Sequence, residues 1–250
     1  MTIPSSLIEP AAHALATKFR AVTERLVGLP AGETVEIEAV TGVRWRGYAR
    51  YQGGLRTQIS FNVERPFTAT ELAHVTAHET YSGHHTHRAW QEDVLVSGRG
   101  ETERTLDVLR SPDAVVSEGI AEVGAELVMA EDGHELAARC LRDRGLTFDA
   151  TTESKVAEAL RLLKPVNSNA ALFIHHHRED LAAAEDYLRK WSLMSSAEAT
   201  HSAQKLSMPV PVGYVHLYAH GAELCRPHVR NDGRRLRTLM TARVVPTDLM

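Results

Sequence analysis

Five of the chain's 14 histidines (His74, His78, His84, His85 and His87) fall within fourteen residues, and this crowding constrains the fold more than any other feature. Imidazole is the side chain most used to hold metal ions, and it changes charge near neutral pH, so the fold must find a defined place for each ring in such a run. The segment opens on Thr68-Ala69-Thr70-Glu71. That is the form of a capping box, in which threonine and glutamate satisfy each other's backbone N–H groups at the start of a helix. A helix is therefore expected from Thr68 through the histidines toward Trp90.

The centre of the run reads His78-Glu79-Thr80-Tyr81-Ser82-Gly83-His84-His85. Histidine followed directly by glutamate on a helix is the first half of the HExxH zinc signature, in which histidines four apart share one face and the glutamate acts on the activated water. Here Ser82 occupies the fourth position after His78, so the standard motif is absent. At about 100° per residue, an unbroken helix returns His85 to within about 20° of His78 and leaves His84 about 120° away. Gly83 is a poor helix residue, and a break there would swing His84 in instead. The residues alone leave both ligands open.

The rest of the chain divides simply. Residues 7–27 carry a helical apolar spacing that Leu29-Pro30 ends. Thr34–Val40 alternates apolar and polar residues, and Gly53-Gly54 separates two β-prone segments, so an antiparallel hairpin or small meander is expected over 33–63. Ser111-Pro112 gives an N-cap followed by proline at the first helical position, opening a helix over about 112–132. Further helices are expected near 134–144, 151–163, 167–177, 179–194, 196–206 and, after Pro209 and Pro211, 212–225. The basic, weakly patterned end after Arg230 reads as a surface segment. The fold class is mainly α with a small β element, in one domain over 1–250.

Composition removes several functions. With 250 residues, 43% hydrophobic and 24% charged, the chain has ordinary globular usage. A net charge of −4 leaves no basic excess for nucleic acid. No apolar run reaches the length of a membrane span, and the N-terminus lacks a secretory pattern, so a soluble cytoplasmic protein without membrane contact is expected. Cys140 and Cys225 stand apart and read as plain buried thiols. Trp45, Trp90 and Trp191 read as packing residues. Glu118, Glu122 and Glu126 lie one turn apart along the helix after Pro112, and any of them can reach a shared face. His74 and His87 read as supports that orient a ligand, or as surface groups. The triplet His175-His176-His177 points three ways and reads as mostly outside any site.

HETYSGHH at 78–85 and Glu118-Gly119-Ile120-Ala121 together resemble a bacterial domain-of-unknown-function family of zincin-like proteins with the motifs HExxPGHH and EGxA. The likeness extends through YQGGLRTQISFN at 51–62, SNAALFIHHHRED at 168–180, YLRKWSL at 187–193 and LYAHG at 217–221. Family members are considerably longer, and Ser82 stands where the family has proline. The resemblance implies a metallopeptidase-like site with His78, His84 and Glu118 as metal ligands, and His85 as the alternate. It implies Glu79 as general base, and Tyr218 as a second donor to a developing oxyanion, with His216 and Tyr214 behind it. Zn²⁺ is the implied ion. Two histidines and one carboxylate also form the facial triad of Fe²⁺ redox or lyase enzymes, which keeps iron as the alternative. The expected substrate is a small peptide or amide-like bond; a binding protein that has lost activity is a third reading, and a homo-oligomer is open.

Overall fold

The computed structural model describes residues 2–43, 45–108, 111–130, 133–146, 149–177, 180–192, 194–208 and 211–250. Glu179, Leu193, Pro209, the side chain of Tyr214 and the last two residues of the helix expected over 112–132 lie outside the described residues.

The chain is mainly helical, as its patterning implies. Strand β1 (Thr2–Ile3) leads into helix α1 (Ser5–Leu26). Ile8, Ala11, Ala12, Leu15, Phe19 and Val22 form the buried stripe of α1 at helical spacing. Next come β2 (Thr34–Val40), β3 (Gly47–Gly53) and β4 (Arg56–Asn62). The β3–β4 pair is the expected antiparallel hairpin, turned by Gly53, Gly54 and Leu55, all with positive φ. The meander is not formed, because β2 pairs in parallel with β4 and the strand order is β2-β4-β3. The physical reason lies in β4, whose Thr57, Ile59, Phe61 and Asn62 are all buried, so it takes the centre and leaves β2 and β3 as edges. The two-residue strand β5 (Phe67–Thr68) pairs with β1 and ties the N-terminus to the start of α2 (Ala69–Glu79).

The single helix expected toward Trp90 is two helices. α2 stops at Glu79, and α3 (His84–Trp90) starts afresh, running on into a π-helical turn at Gln91–Ser97. Then follow α4 (Pro112–Ala130), α5 (Gly133–Arg142), α6 (Ala150–His175), α7 (Leu181–Trp191), α8 (Ser196–Leu206), α9 (Pro211–Val229) and α10 (Gly233–Met240). The pair expected at 151–163 and 167–177 is the one helix α6, which passes through Pro165. Proline forfeits one backbone hydrogen bond there, while Val166, Ala170 and Ala171 pack against α7 and α8 and hold the helix together.

The C-terminal segment is also more structured than its sequence implies. Leu236, Leu239 and Met240 recur at helical spacing and pack with Trp90, Ile120 and Val123, while the Arg237 guanidinium lies 3.8 Å from the centre of the Trp90 ring. Trp90 is thus a packing residue, whereas Trp191 is 51% exposed. Cys140 and Cys225 are buried and unbonded to each other. Among the described residues no helix is long and apolar enough to cross a membrane.

Candidate metal centre

The break between α2 and α3 arranges the histidines. The Thr68–Glu71 capping box starts α2, so His74 and His78, four residues apart, share a face. Thr80 closes the helix by donating its hydroxyl to the Thr76 carbonyl at 2.6 Å. Ser82 then adopts φ 69°, with its hydroxyl 2.8 Å from that of Thr23 and its N–H on Thr86 Oγ1 at 3.0 Å. The turn doubles back so tightly that a Cβ on Gly83 would lie 1.7 Å from the His78 carbonyl oxygen, and one on Gly124 would lie 1.8 Å from that of Ser82. Both positions require glycine.

That turn separates two adjacent histidines. The His84 ring comes to 4.8 Å from the His78 ring, edge to face. His85 goes the other way, into a buried network in which Nδ1 meets Thr57 Oγ1 at 2.7 Å and Nε2 meets Glu33 Oε2 at 2.8 Å. Arg20 and the Tyr81 hydroxyl complete the donors around Glu33. His85, the alternate ligand, therefore joins helix to sheet and stands apart from His78.

Helix α4 supplies the carboxylates. Glu118 Oε2 lies 3.3 Å from His78 Nε2 and 3.6 Å from His84 Nε2. One turn on, Glu122 Oε1 lies 3.5 Å from His78 Nδ1, and its Oε2 lies 3.6 Å from His74 Nε2 and touches the Lys164 ammonium. Glu126 points elsewhere and takes a two-pronged contact from Arg226. In each triple, His78–His84–Glu118 and His74–His78–Glu122, the ligand atoms all lie within 4.8 Å of one another. Ligands bound at 2.0–2.2 Å in a tetrahedron stand about 3.4 Å apart, so the spacing suits a cation better than direct hydrogen bonds. His78 Nδ1 has no hydrogen-bond partner.

Burial and charge set the proton affinities. Burial alone lowers that of His78, but the contact with Glu118 and the charges of Glu122 and Glu79 raise its pKa to about 9. Glu118 is held well below the usual carboxylate range: burial opposes this, and His84 and His78 outweigh it. Glu122 is lowered likewise by His74, His78 and Lys164. Glu79 is raised, mainly by burial, although His78, His84 and a backbone N–H at Ala49 act against it. Its side chain lies against Gly47, where a Cβ would stand 2.6 Å from Val75 and 3.4 Å from Glu79. Strand β3, an edge of the sheet, thus packs closely against the end of α2 at Gly47.

The remaining sites divide. The Tyr218 ring lies 5.9 Å from that of His78, because α9 crosses α4 at Gly119 and Gly221, where a Cβ on Gly119 would lie 2.2 Å from the Gly221 carbonyl oxygen. His216, two residues away and about 200° round the helix, pairs with His220 at 6.0 Å instead. His87 is buried, and Ser117 Oγ stands between its Nδ1 (3.4 Å) and that of His84 (3.5 Å). His175 bonds the Leu206 carbonyl, and His176 and His177 are exposed. Lys164 and Ser117 are contributors that no sequence pattern marks, since neither belongs to a motif or a helical spacing with the histidines.

One cavity opens on the cluster, and a second lies along β3 with none of the candidate ligands in its lining. The first, of about 680 Å³, reaches the cluster at His74 and Lys164. The second, about 390 Å³, runs along β3 past Ala49 and Tyr51 to Arg88 and Arg104. Comparison with protein-family models, with curated proteins and with solved structures finds no match to this chain.

Proposed function

We propose that this chain is a zinc-dependent hydrolase acting on a peptide or amide-like bond, with the ion held by His78, His84 and Glu118. The observation that carries this reading is the convergence of those three ligand atoms within 4.8 Å beside a fourth group, Glu79, that belongs to neither ligand set. Two imidazoles and one carboxylate make a donor set suited to a catalytic zinc, with a coordination position left over. When bound, such an ion supplies Lewis-acid polarisation of a carbonyl and a lowered pKa for water.

The chain's own residues do the rest. Glu79 is buried with its proton affinity raised, which is the condition for a carboxyl group that takes a proton from an attacking water and later returns it to a leaving nitrogen. Tyr218 stands on the far helix as the donor to the oxygen on which charge develops. The outer edge of β3 offers backbone groups next to Glu79, and the cavity along it suits an extended substrate bound by main-chain hydrogen bonds. The two separate buried thiols favour a reducing, cytoplasmic setting.

The test is metal analysis of protein purified without added metal, followed by peptide and amide turnover. The reading expects zinc near one equivalent per chain, and in Glu79→Gln the same zinc content with turnover reduced by about 10²–10⁴. Iron in place of zinc, with oxygen-sensitive activity, overturns the hydrolase in favour of a redox or lyase enzyme. Turnover unchanged in Glu79→Gln removes Glu79 as the base, and absence of turnover in wild type with function kept in Glu79→Gln leaves only a binding protein.

A further inference from the structure

His78 presents each of its ring nitrogens to a different carboxylate, so it belongs to two ligand sets at once. The second set, His74 Nε2, His78 Nδ1 and Glu122, has separations of 3.5 and 3.6 Å, matching those of the first. By spacing and donor type it suits a divalent transition-metal ion as well as the first set does. It also has a route of entry, because His74 lines the larger cavity and its side chain is 36% exposed.

What separates the two sets is Lys164. Its ammonium, carried in from α6, contacts Glu122 Oε2, the same oxygen that faces His74. An ammonium and a divalent ion sharing one carboxylate oxygen would stand about 4 Å apart, where like charges in a protein interior repel strongly. We propose that His74, His78 and Glu122 form a second metal position that Lys164 holds shut, so that the centre takes a single divalent ion on the Glu118 side. Lys164 acts as a tethered cation. It neutralises Glu122 in place of a metal and leaves that carboxylate to steady the Nδ1 side of His78, while Nε2 faces the first position.

The proposal shares its first ion with the function proposed above, and the experiment keeps the two apart. Full-length chain is stripped with a chelator, dialysed against Zn²⁺, and zinc per chain is measured; Co²⁺ loading gives an optical check on coordination. Wild type is expected to hold one equivalent, Lys164→Arg one, and the double variant Lys164→Met with His74→Ala one again; Lys164→Met and Lys164→Gln are expected to hold two, with His78 bridging the ions as an imidazolate whose Nδ1 proton is released to solvent. Circular dichroism checks that each variant folds, and two neutral replacements guard against one that does not. One equivalent in folded Lys164→Met or Lys164→Gln overturns the proposal, as do two in wild type. Should wild type take no zinc, the proposed function falls. The tethered cation then stands if Lys164→Met gains one equivalent that His74→Ala removes, and falls if it gains none.

Discussion

His84 and His85 are neighbours in sequence and belong to opposite kinds of imidazole–carboxylate cluster. Around His85 the contacts close to ordinary hydrogen-bond lengths, 2.7 Å to Thr57 and 2.8 Å to Glu33, and both ring nitrogens are satisfied. Around His78 and His84 the corresponding separations are 3.3–3.6 Å, and one ring nitrogen has no hydrogen-bond partner. The same residue types thus make a finished structural joint in one place and, less than an ångström wider, a cage-like cluster whose spacing could hold an ion in the other. A buried polar network that closes on itself stabilises the fold, whereas one that stays open leaves buried polar atoms for water or an ion to satisfy.

The turn between the two clusters decides which histidine goes where, so the largest effect is expected there. Ser82 sits at φ 69° and donates its N–H to Thr86. Proline is fixed near −65° and has no N–H, so Ser82→Pro is expected to cost at least about 4 kcal/mol in urea unfolding and to scramble both clusters. Ser82→Gly, which keeps the φ and loses the hydroxyl contact with Thr23, should cost only about 1 kcal/mol. A Ser82→Pro protein as stable as wild type would mean that the turn can refold into the form a proline-bearing motif demands, and the φ argument would be lost.

Next in size is the exchange of roles between the two rings. His85→Ala opens a hole in a fully buried charged network and is expected to cost about 3–4 kcal/mol while leaving zinc content near wild type. His84→Ala, whose ring is partly exposed and makes only long contacts, should change the stability of metal-stripped protein by under about 1 kcal/mol. It should weaken zinc binding by more than the roughly 10–100-fold typical of losing an outer partner. Paired melts and zinc titrations decide it: equal behaviour of the two variants in both readouts erases the distinction between joint and cage.

Much of this was legible beforehand. The capping box at Thr68, the Gly53-Gly54 hairpin and the start of α4 at Pro112 are local signals, and local signals survive into the fold. The suspicion that Gly83 breaks the helix was also local, whereas the direction in which each histidine then falls depends on Glu33, Thr57 and Glu118, which are distant in sequence. Lys164 was invisible for the same reason, as it lies 42 residues from Glu122 on a helix whose continuity through Pro165 the sequence argued against. The parallel pairing of β2 was missed because strand alternation reports burial of a face and carries no record of which neighbour is chosen.

The alkaline limb of stability tests the cage alone. In protein stripped of metal, His78 has its pKa raised to about 9 by Glu118, Glu122 and Glu79, against the opposing effect of burial. A group whose folded pKa is raised contributes stability that is complete below its unfolded value, near 6.5, and is lost as pH climbs through about 9. The size is on the order of 3 kcal/mol, the free-energy equivalent of a pKa that moves from near 6.5 to about 9. Glu33, in the joint, has its pKa lowered by His85 and Arg20 although burial works to raise it, so its contribution is present above its unfolded pKa and lost only on acidification. Urea unfolding of chelator-stripped wild type and His78→Gln at about pH 6 and about pH 9.5 separates the two, because other titrations cancel in the difference. The wild-type advantage should shrink by about 3 kcal/mol at the higher pH, and saturating zinc should restore it by taking the place of the proton. An advantage that stays constant across that interval would mean that His78 is neutral throughout and that no proton is held between it and Glu118 for an ion to replace.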